Sequence, residues 1–205
     1  MKPGAQSRKL FEPKTPGFHA GRWRVQVTLL AGLLALFMEM DAGFGDGQAL
    51  SKYQVEAVFL FNFAKYVEWP GSTFPDTAAP ITIGVLGTDP FGDNLQHAVD
   101  GKTINGRRCA IKHLDSGSEL AGCQILFISD SVGSDVGGIL EKSGKLPILT
   151  VGEGDVFARN GGIVNFVLKN GNVRLEIDLA AAKKSGLTIS SKLLAVADVV
   201  KGKTN

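Results

Sequence analysis

Hydrophobic and polar positions change their period along the chain. From Leu50 the apolar positions are three and four residues apart as far as Trp69-Pro70, which predicts an amphipathic helix with Ser51 as its N-cap. Strand-like and helical patterns then alternate in six segments, at 81–86, 91–99, 109–114, 124–129, 135–142 and 147–151. Strands that alternate with helices indicate a mostly parallel sheet with helices on both faces.

The last quarter of the chain has a different pattern. Two strand-like runs at 162–168 and 173–178 are joined by residues 169–172, whose central Asn-Gly favours an antiparallel hairpin. A short helix at 179–185 and a terminal helix at 190–201 follow. The predicted fold class is therefore α/β: a mostly parallel sheet with helices on both faces, then a C-terminal antiparallel hairpin and a terminal helix.

The segment before this domain has the order of residues that a secretory signal peptide has. An uncharged run at 25–38 follows Arg22 and Arg24 and precedes small residues suited to cleavage near Gly45 or Gly47. The run is shorter than the roughly 20 apolar residues that cross a bilayer, although an uncleaved anchor is the alternative interpretation. We therefore expect residues 1–45 to direct export and residues 46–205 to form the α/β domain.

The charge is distributed unevenly between these two parts. Of 22 basic and 20 acidic side chains, six basic and three acidic ones lie in residues 1–45, so the remaining domain is close to neutral. A nucleic-acid-binding domain would normally carry a basic stripe. We therefore expect no nucleic-acid partner.

The two cysteines, Cys109 and Cys123, each stand at the beginning of a predicted strand. If these strands are parallel neighbours, both residues lie at one edge of the sheet, within the distance that a disulfide spans. An exported protein can be oxidised, so one Cys109–Cys123 disulfide is expected. Two unrelated, half-buried thiols are the alternative.

The residues that carry chemistry form no catalytic or metal-binding pattern. Outside the leader the only histidines are His97 and His113, which are not at metal-ligand spacing. The sequence has no G-x-S-x-G motif and no nucleotide-binding glycine motif. We expect no catalytic residue, no metal and no cofactor, and hence no enzyme.

Two turns are candidates for a ligand site. They follow the first and third predicted strands and contain Gly87, Thr88 and Asp89 in one turn and Ser129 and Asp130 in the other. The carboxyl ends of parallel strands meet at one edge of a sheet, where small ligands bind in many α/β proteins. For Gly87 to Asp89, a purely structural turn is the alternative.

The first predicted helix is unusually aromatic. It holds Tyr53, Phe59, Phe61, Phe63, Tyr66 and Trp69, which at 100° per residue cannot share one face. Either the helix is buried between the sheet and another element, or one aromatic face meets a partner or a second subunit. The candidates for such a contact are Tyr53, Phe59, Phe63, Tyr66 and Trp69.

Several long strings, in this order, resemble the YfiR-like family. They are YQVEAVFLFNFAKYVEWP (53–70), ITIGVLGTDPFG (81–92), GCQILFIS (122–129) and VRLEIDLAAAKKSGLTISSKLLAVA (173–197). The resemblance covers about residues 50–200. It implies a periplasmic domain that forms homodimers and acts as a regulator.

The regulatory role that the resemblance implies is repression by protein contact. Such a protein binds the periplasmic part of an inner-membrane diguanylate cyclase, or of a sensor kinase, and keeps it inactive. Cyclic-di-GMP, biofilm formation and motility would then respond to a protein that does not handle the nucleotide itself. The second hypothesis is a periplasmic sensor that binds a small ligand at the strand ends, and an enzyme ranks third.

Overall fold

The computed structural model describes residues 50–200, and the predicted signal peptide at residues 1–45 lies outside them. The helices are α1 (Lys52–Tyr66), α2 (Asp93–Val99), α3 (Val136–Ser143), α4 (Gly154–Arg159), α5 (Leu179–Lys184) and α6 (Ser191–Leu194). The strands are β1 (Val67–Glu68), β2 (Ile81–Leu86), β3 (Thr103–Ile104), β4 (Arg107–Leu114), β5 (Ile125–Ile128), β6 (Leu149–Glu153), β7 (Val164–Lys169), β8 (Asn172–Asp178), β9 (Thr188–Ile189) and β10 (Asp198–Val200). None of the helices in this described part has the length and apolarity needed to cross a bilayer.

Eight strands form the main sheet, in the order β10-β8-β7-β6-β5-β2-β4-β3. Five of its seven pairings are parallel, and β7–β8 and β3–β4 are antiparallel. The β7–β8 turn places Asn170 at φ 53° and Gly171 at φ 77°, the left-handed region that a two-residue hairpin turn requires. The predicted α/β class, with its mostly parallel sheet and C-terminal hairpin, is confirmed.

Helices cover both faces of the sheet. The α1 face is covered by α1, α2, α5 and α6, and its core includes Leu60, Phe63 and Phe166. The α3 face is covered by α3 and α4, and its core includes Leu140 and Phe157. The central strand β2 is buried on both sides because its residues alternate between these two cores, as the apolar run at 81–86 predicts.

Helix α1 begins as predicted and ends earlier than predicted. Ser51 and Gln54 form a reciprocal capping box at its start. The helix stops at Tyr66, because Val67–Glu68 pair with β9 in a separate antiparallel ribbon. Ser190 N donates to Tyr66 O over 2.9 Å and closes the ribbon. The end of α1 is thus set by a segment more than a hundred residues later, which local spacing does not reveal.

The predicted terminal helix at 190–201 is wrong beyond its first turn. Helix α6 ends at Leu194, and β10 follows at Asp198–Val200, parallel to β8. Pairing with β10 satisfies backbone groups on the edge of β8 that a continued helix would leave unpaired, and Val199 and Val200 are β-branched. Edge pairing therefore outweighs the helical spacing of the apolar residues.

The expected Cys109–Cys123 disulfide is absent, and both thiols are free. The strands β4 and β5 are not neighbours, because β2 lies between them. Two strand spacings separate the cysteine Cα atoms by about 10 Å, whereas a disulfide needs less than about 7 Å. Cys109 also packs towards the α1 face and Cys123 is part of the α3 face core. Burial raises the pKa of both thiols, which favours their protonated form.

Candidate functional site

The turns after β2 and β5 meet in a closed seam formed by Gly87, Thr88, Ser129 and Ser131. Thr88 N donates to Ser131 Oγ over 2.8 Å, and Ser129 N donates to Leu86 O over 3.0 Å. A Cβ at Gly87, where φ is +86°, would lie 2.5 Å from Ser131 Oγ. The two predicted turns are therefore in contact, and the space between them is filled by their own atoms.

Asp89 turns away from this seam. Its Oδ1 accepts a hydrogen bond from Phe91 N over 2.7 Å, and its Oδ2 lies 2.7 Å from His113 Nε2 on β4. Helix α2 begins later, at Asp93 after Gly92, so Asp89 shapes the turn and does not cap the helix. Of the five predicted crevice residues, Gly87 and Thr88 lie in the seam and Asp89 is engaged with β4.

An open cleft lies one strand further along, at the carboxyl ends of β5 and β6. Its volume is about 450 Å³. Its walls are the turn after β5, the first residue of α3 and the β6–α4 junction. The lining residues are Ile128, Ser129, Asp130, Gly133, Ser134, Val136, Glu153, Gly154, Asp155, Val156 and Phe157. Ser129 and Asp130 are thus the predicted crevice residues that line an open space.

The cleft is acidic. Asp130, Glu153 and Asp155 line it, and none of the described residues that line it is basic, although Lys52 of α1 pairs with Glu153. Such a lining disfavours anionic ligands and suits neutral or cationic ones. Within residues 50–200, no group of three or more His, Cys, Asp and Glu side chains is placed to hold a metal ion.

The buried Glu56 and the half-buried Glu153, which lines this cleft, form a carboxyl pair. Glu56 of α1 is 0% exposed, and no hydrogen-bond donor of the described residues reaches either of its carboxylate oxygens. Its carboxyl group faces that of Glu153, and Lys52 Nζ lies 3.9 Å from Glu56 Oε1. Lys52 Nζ also donates to Glu153 Oε2. The three side chains join the first turns of α1 to the β6–α4 junction.

The environment of Glu56 favours its neutral form. Burial raises its pKa first, and the neighbouring Glu153 raises it further; the nearby Lys52 only partly opposes them, so the pKa is about 9. Sequence reasoning missed this pair because Glu153 is almost a hundred residues away in the chain. One signal was available: Glu56 precedes Leu60 by four residues and Phe63 by seven, and so lies on the apolar stripe of α1.

The aromatic residues of the first predicted helix all pack against the core of the α1 face, and they differ in how far they are buried. Phe63 is fully buried, and its ring stacks on Phe166 with centroids 6.0 Å apart. Phe59 is half-buried and lies 6.1 Å from each of these rings. Phe63 is therefore a core residue with no exposed surface, and its prediction as a partner-contact residue is wrong.

The remaining aromatic candidates are half-buried. Tyr53 contacts the buried Phe91 edge-on, with ring centroids 6.1 Å apart. Trp69 Nε1 donates to Gln124 O over 3.2 Å, which anchors the indole at the start of β5. Tyr66 lies near Lys65, whose Nζ is 5.6 Å from its ring centroid. Each of these three residues keeps part of its surface accessible.

An outward strip of α1 remains uncovered by the described residues. It consists of Gln54, Val58, Asn62 and Lys65, which are spaced three and four residues apart. Val58 is 41% exposed at its centre. Half-buried Phe59 and Tyr66 flank one side of the strip, and half-buried Phe61 flanks the other. The outer strip of α1 thus offers an apolar centre between aromatic edges.

Comparison with known proteins identifies the lineage of this domain. A family model described as YfiR/HmsC-like matches residues 53–198, which confirms the resemblance read from the sequence strings. The match spans nearly all of the described elements. This family is periplasmic, and its members are regulators that act through a membrane signalling partner.

A solved structure of a conserved domain protein from Vibrio cholerae has a similar fold, with a TM-score of 0.50 and 14% sequence identity. The similarity covers 75% of this chain and 62% of that chain, so this chain spans less than two thirds of the other's length. At this identity the likeness concerns the fold alone. Among curated proteins, none matches the sequence.

Proposed function

The chain belongs to the YfiR/HmsC-like family, and from this premise we propose that it restrains a signalling protein of the inner membrane. It binds the periplasmic sensory region of a diguanylate cyclase and keeps the enzyme inactive, so that cyclic-di-GMP output falls. The observation that carries this proposal is the family match over residues 53–198. The protein acts by contact, and its own residues perform no chemistry.

The outer strip of α1 is the surface that best suits this contact. An exposed apolar residue between aromatic neighbours is typical of the centre of a protein–protein interface. Tyr53, Phe59, Tyr66 and Trp69 have their inner parts fixed by the core, so presenting their outer parts costs little side-chain entropy. Val58 stands at the centre of the strip.

Two matched substitutions test this surface. Val58→Asp places a charge on the outer strip, whereas Val156→Asp places the same charge at a valine of α4 that is 52% exposed and lines the cleft. In the bacterium that encodes the protein, deletion of its gene should raise the cyclic-di-GMP level, and expression of the native chain should return that level to normal. We expect Val156→Asp to return the cyclic-di-GMP level to normal as well. We expect Val58→Asp to leave it raised, although the variant protein is present in a normal amount.

Other outcomes of this experiment would redirect or end the proposal. If Val156→Asp fails and Val58→Asp restores the level, the partner binds at the cleft. If deletion leaves cyclic-di-GMP unchanged, repression of a cyclase is refuted.

Export by a cleaved signal peptide is part of the proposal. It rests on the uncharged run at 25–38 and on the periplasmic location of the family. Fractionation should recover the protein in the periplasm, and N-terminal sequencing should find a new terminus near Gly45 or Gly47. An intact terminus in the membrane fraction would instead support an anchor.

We also propose that the protein is a homodimer. Among the described strands, β10 lies at one edge of the sheet, and Val199 on it is 52% exposed. An unpaired edge strand can extend its sheet by pairing with another chain. Sedimentation should give the mass of two chains for the native protein and of one chain for Val199→Asp. A native monomer at micromolar concentration would contradict the proposal.

A small-ligand sensor is the second candidate function, and the open cleft is the observation that favours it. Its volume of about 450 Å³ falls in the range of small-molecule sites. A thermal-shift screen of amines, amino acids and small anions should find stabilising compounds among the neutral and cationic ones. Asp130→Asn should abolish that stabilisation, and a screen without any stabilising compound would exclude this function.

A further inference from the structure

The carboxyl pair of Glu56 and Glu153 has a property that reaches beyond the proposed repression. Two ionised carboxylates cannot hydrogen-bond each other, because each only accepts. A proton on one of them makes it a donor to the other. One proton shared by the two carboxyl groups therefore explains two observations. The Glu56 oxygens have no other donor among the described residues, and the carboxyl group of Glu153 faces them.

Charge balance supports the same arrangement. Among the described residues, the charged groups that bear on Glu56 are Lys52 on its own helix and Glu153 at the end of β6. The elements α2, β8, β1 and α6 also contact α1, and they bring no charge to Glu56. With one proton on the carboxyl pair, the cluster of three side chains is neutral, and without it the cluster has a net negative charge next to the fully buried Glu56 carboxyl.

We propose that Glu56, Glu153 and Lys52 form a proton-dependent latch, in which one proton shared by the two carboxyl groups holds the first turns of α1 against the β6–α4 junction. Loss of that proton separates the carboxylates and releases the junction. Glu153 and Gly154 line the cleft, so the latch sets how readily one wall of the cleft opens. A latch of this kind makes the wall of the cleft respond to the pH around the domain.

The direction and the range of the response follow from proton linkage. In the closed state Glu56 has a pKa of about 9, whereas in an open, solvated state it returns to its ordinary value of 4.5. The closed state therefore holds a proton that the open state releases, and rising pH favours opening. The effect begins above about pH 5 and saturates near pH 9, where both states have lost the proton.

Hydrogen exchange of the backbone amides at residues 153–157 measures the latch. After correction for the intrinsic rate of exchange, protection in the native protein should fall by up to about tenfold per pH unit between pH 5 and pH 9. Glu56→Gln keeps the size of the side chain and a donor to Glu153, and it should make protection independent of pH. Glu141→Gln removes an exposed carboxylate that pairs with Lys145 over 3.2 Å, and it should behave as the native protein does.

A second measurement needs no variant to fold. In protein purified as the cell produces it, with ¹³C-labelled glutamate, one side-chain carboxyl should titrate several pH units above the others. Protection that does not change with pH in the native protein, protection that falls equally in Glu56→Gln, or ordinary titration of every glutamate would each overturn the latch. None of these results depends on whether the proposed cyclase partner exists.

Discussion

The two faces of the sheet differ in how they are built. Among the described residues, the α1 face has a core of 26 buried residues, four of which are phenylalanines, whereas the α3 face has a core of 11 with Phe157 as its one aromatic residue. The cleft opens beside the smaller core, because Ile128, Val136 and Phe157 belong to that core and also line the cleft. The difference teaches that the larger core holds the fold together and that the thinner side leaves room for a cleft.

The largest expected effect comes from replacing one buried leucine in each of the two cores. Leu60 is fully buried on the α1 face, and Leu140 is slightly more exposed on the α3 face. Leu60→Ala should lower the free energy of unfolding by about 4–5 kcal/mol, and Leu140→Ala by about 2–3 kcal/mol. Urea unfolding measures both, and equal losses would show that the two faces are equally well packed.

The next effect probes how closely Phe157 fits the α3 face. A Cβ at Gly152 would lie 2.5 Å from the Phe157 ring, so Gly152→Ala should cost about 1–3 kcal/mol. Gly138→Ala is the matched control, since a Cβ there meets no atom within 4 Å, and it should be neutral or stabilising. The unfolding temperatures of the two variants test this difference. If Gly152→Ala leaves the unfolding temperature unchanged, the Phe157 ring has space to move.

Glu56 links the two faces, and its removal should have a smaller effect of opposite sign. Its pKa is raised in the folded state, so the folded protein loses stability as the pH rises from about 5 to 9. Glu56→Gln removes this loss, so it should stabilise the protein at pH 8 relative to the native chain and change its stability less at pH 5. Urea unfolding at pH 5 and pH 8 measures this effect. If the variant keeps the pH dependence of the native protein, that dependence comes from other groups.

The smallest expected effect concerns the cysteines, one on each face. Both thiols are free and protonated, so a reductant should change the free energy of unfolding by less than about 0.5 kcal/mol. Loss of a disulfide would cost about 2–4 kcal/mol. Unfolding in the presence and absence of dithiothreitol distinguishes the two cases, and a large loss would show that a bridge forms in solution.

Local patterns predicted most of the fold. The apolar run at 81–86, the capping residue Ser51 and the Asn170-Gly171 turn each specify an element by short-range sterics, hydrogen bonding or burial, and each appears where expected. The errors lie where distant strands compete with local preference. Strand β10 replaces part of a helix because β8 has a free edge, and α1 stops early because β9 pairs with Val67.

The candidate site was harder to predict, because it depends on the order of strands in the sheet. Apolar runs identify β4 and β5 as strands, yet only the topology shows that β2 separates them and keeps Cys109 from Cys123. The same order closes the seam at Gly87 and leaves the cleft between β5 and β6. Glu56 was visible as a carboxylate on an apolar stripe, but its partner Glu153 was not.

The stack of Phe63 on Phe166 also bears on how the protein is made. A chain that crosses the inner membrane from its N-terminus delivers Phe59 and Phe63 about a hundred residues before Phe166. At the rate of synthesis, that interval is roughly 5–20 s. Throughout it, Phe59 and Phe63 lack their contact with Phe166. Under the export proposed above, the aromatic side of α1 would therefore stay incompletely packed until the hairpin arrives.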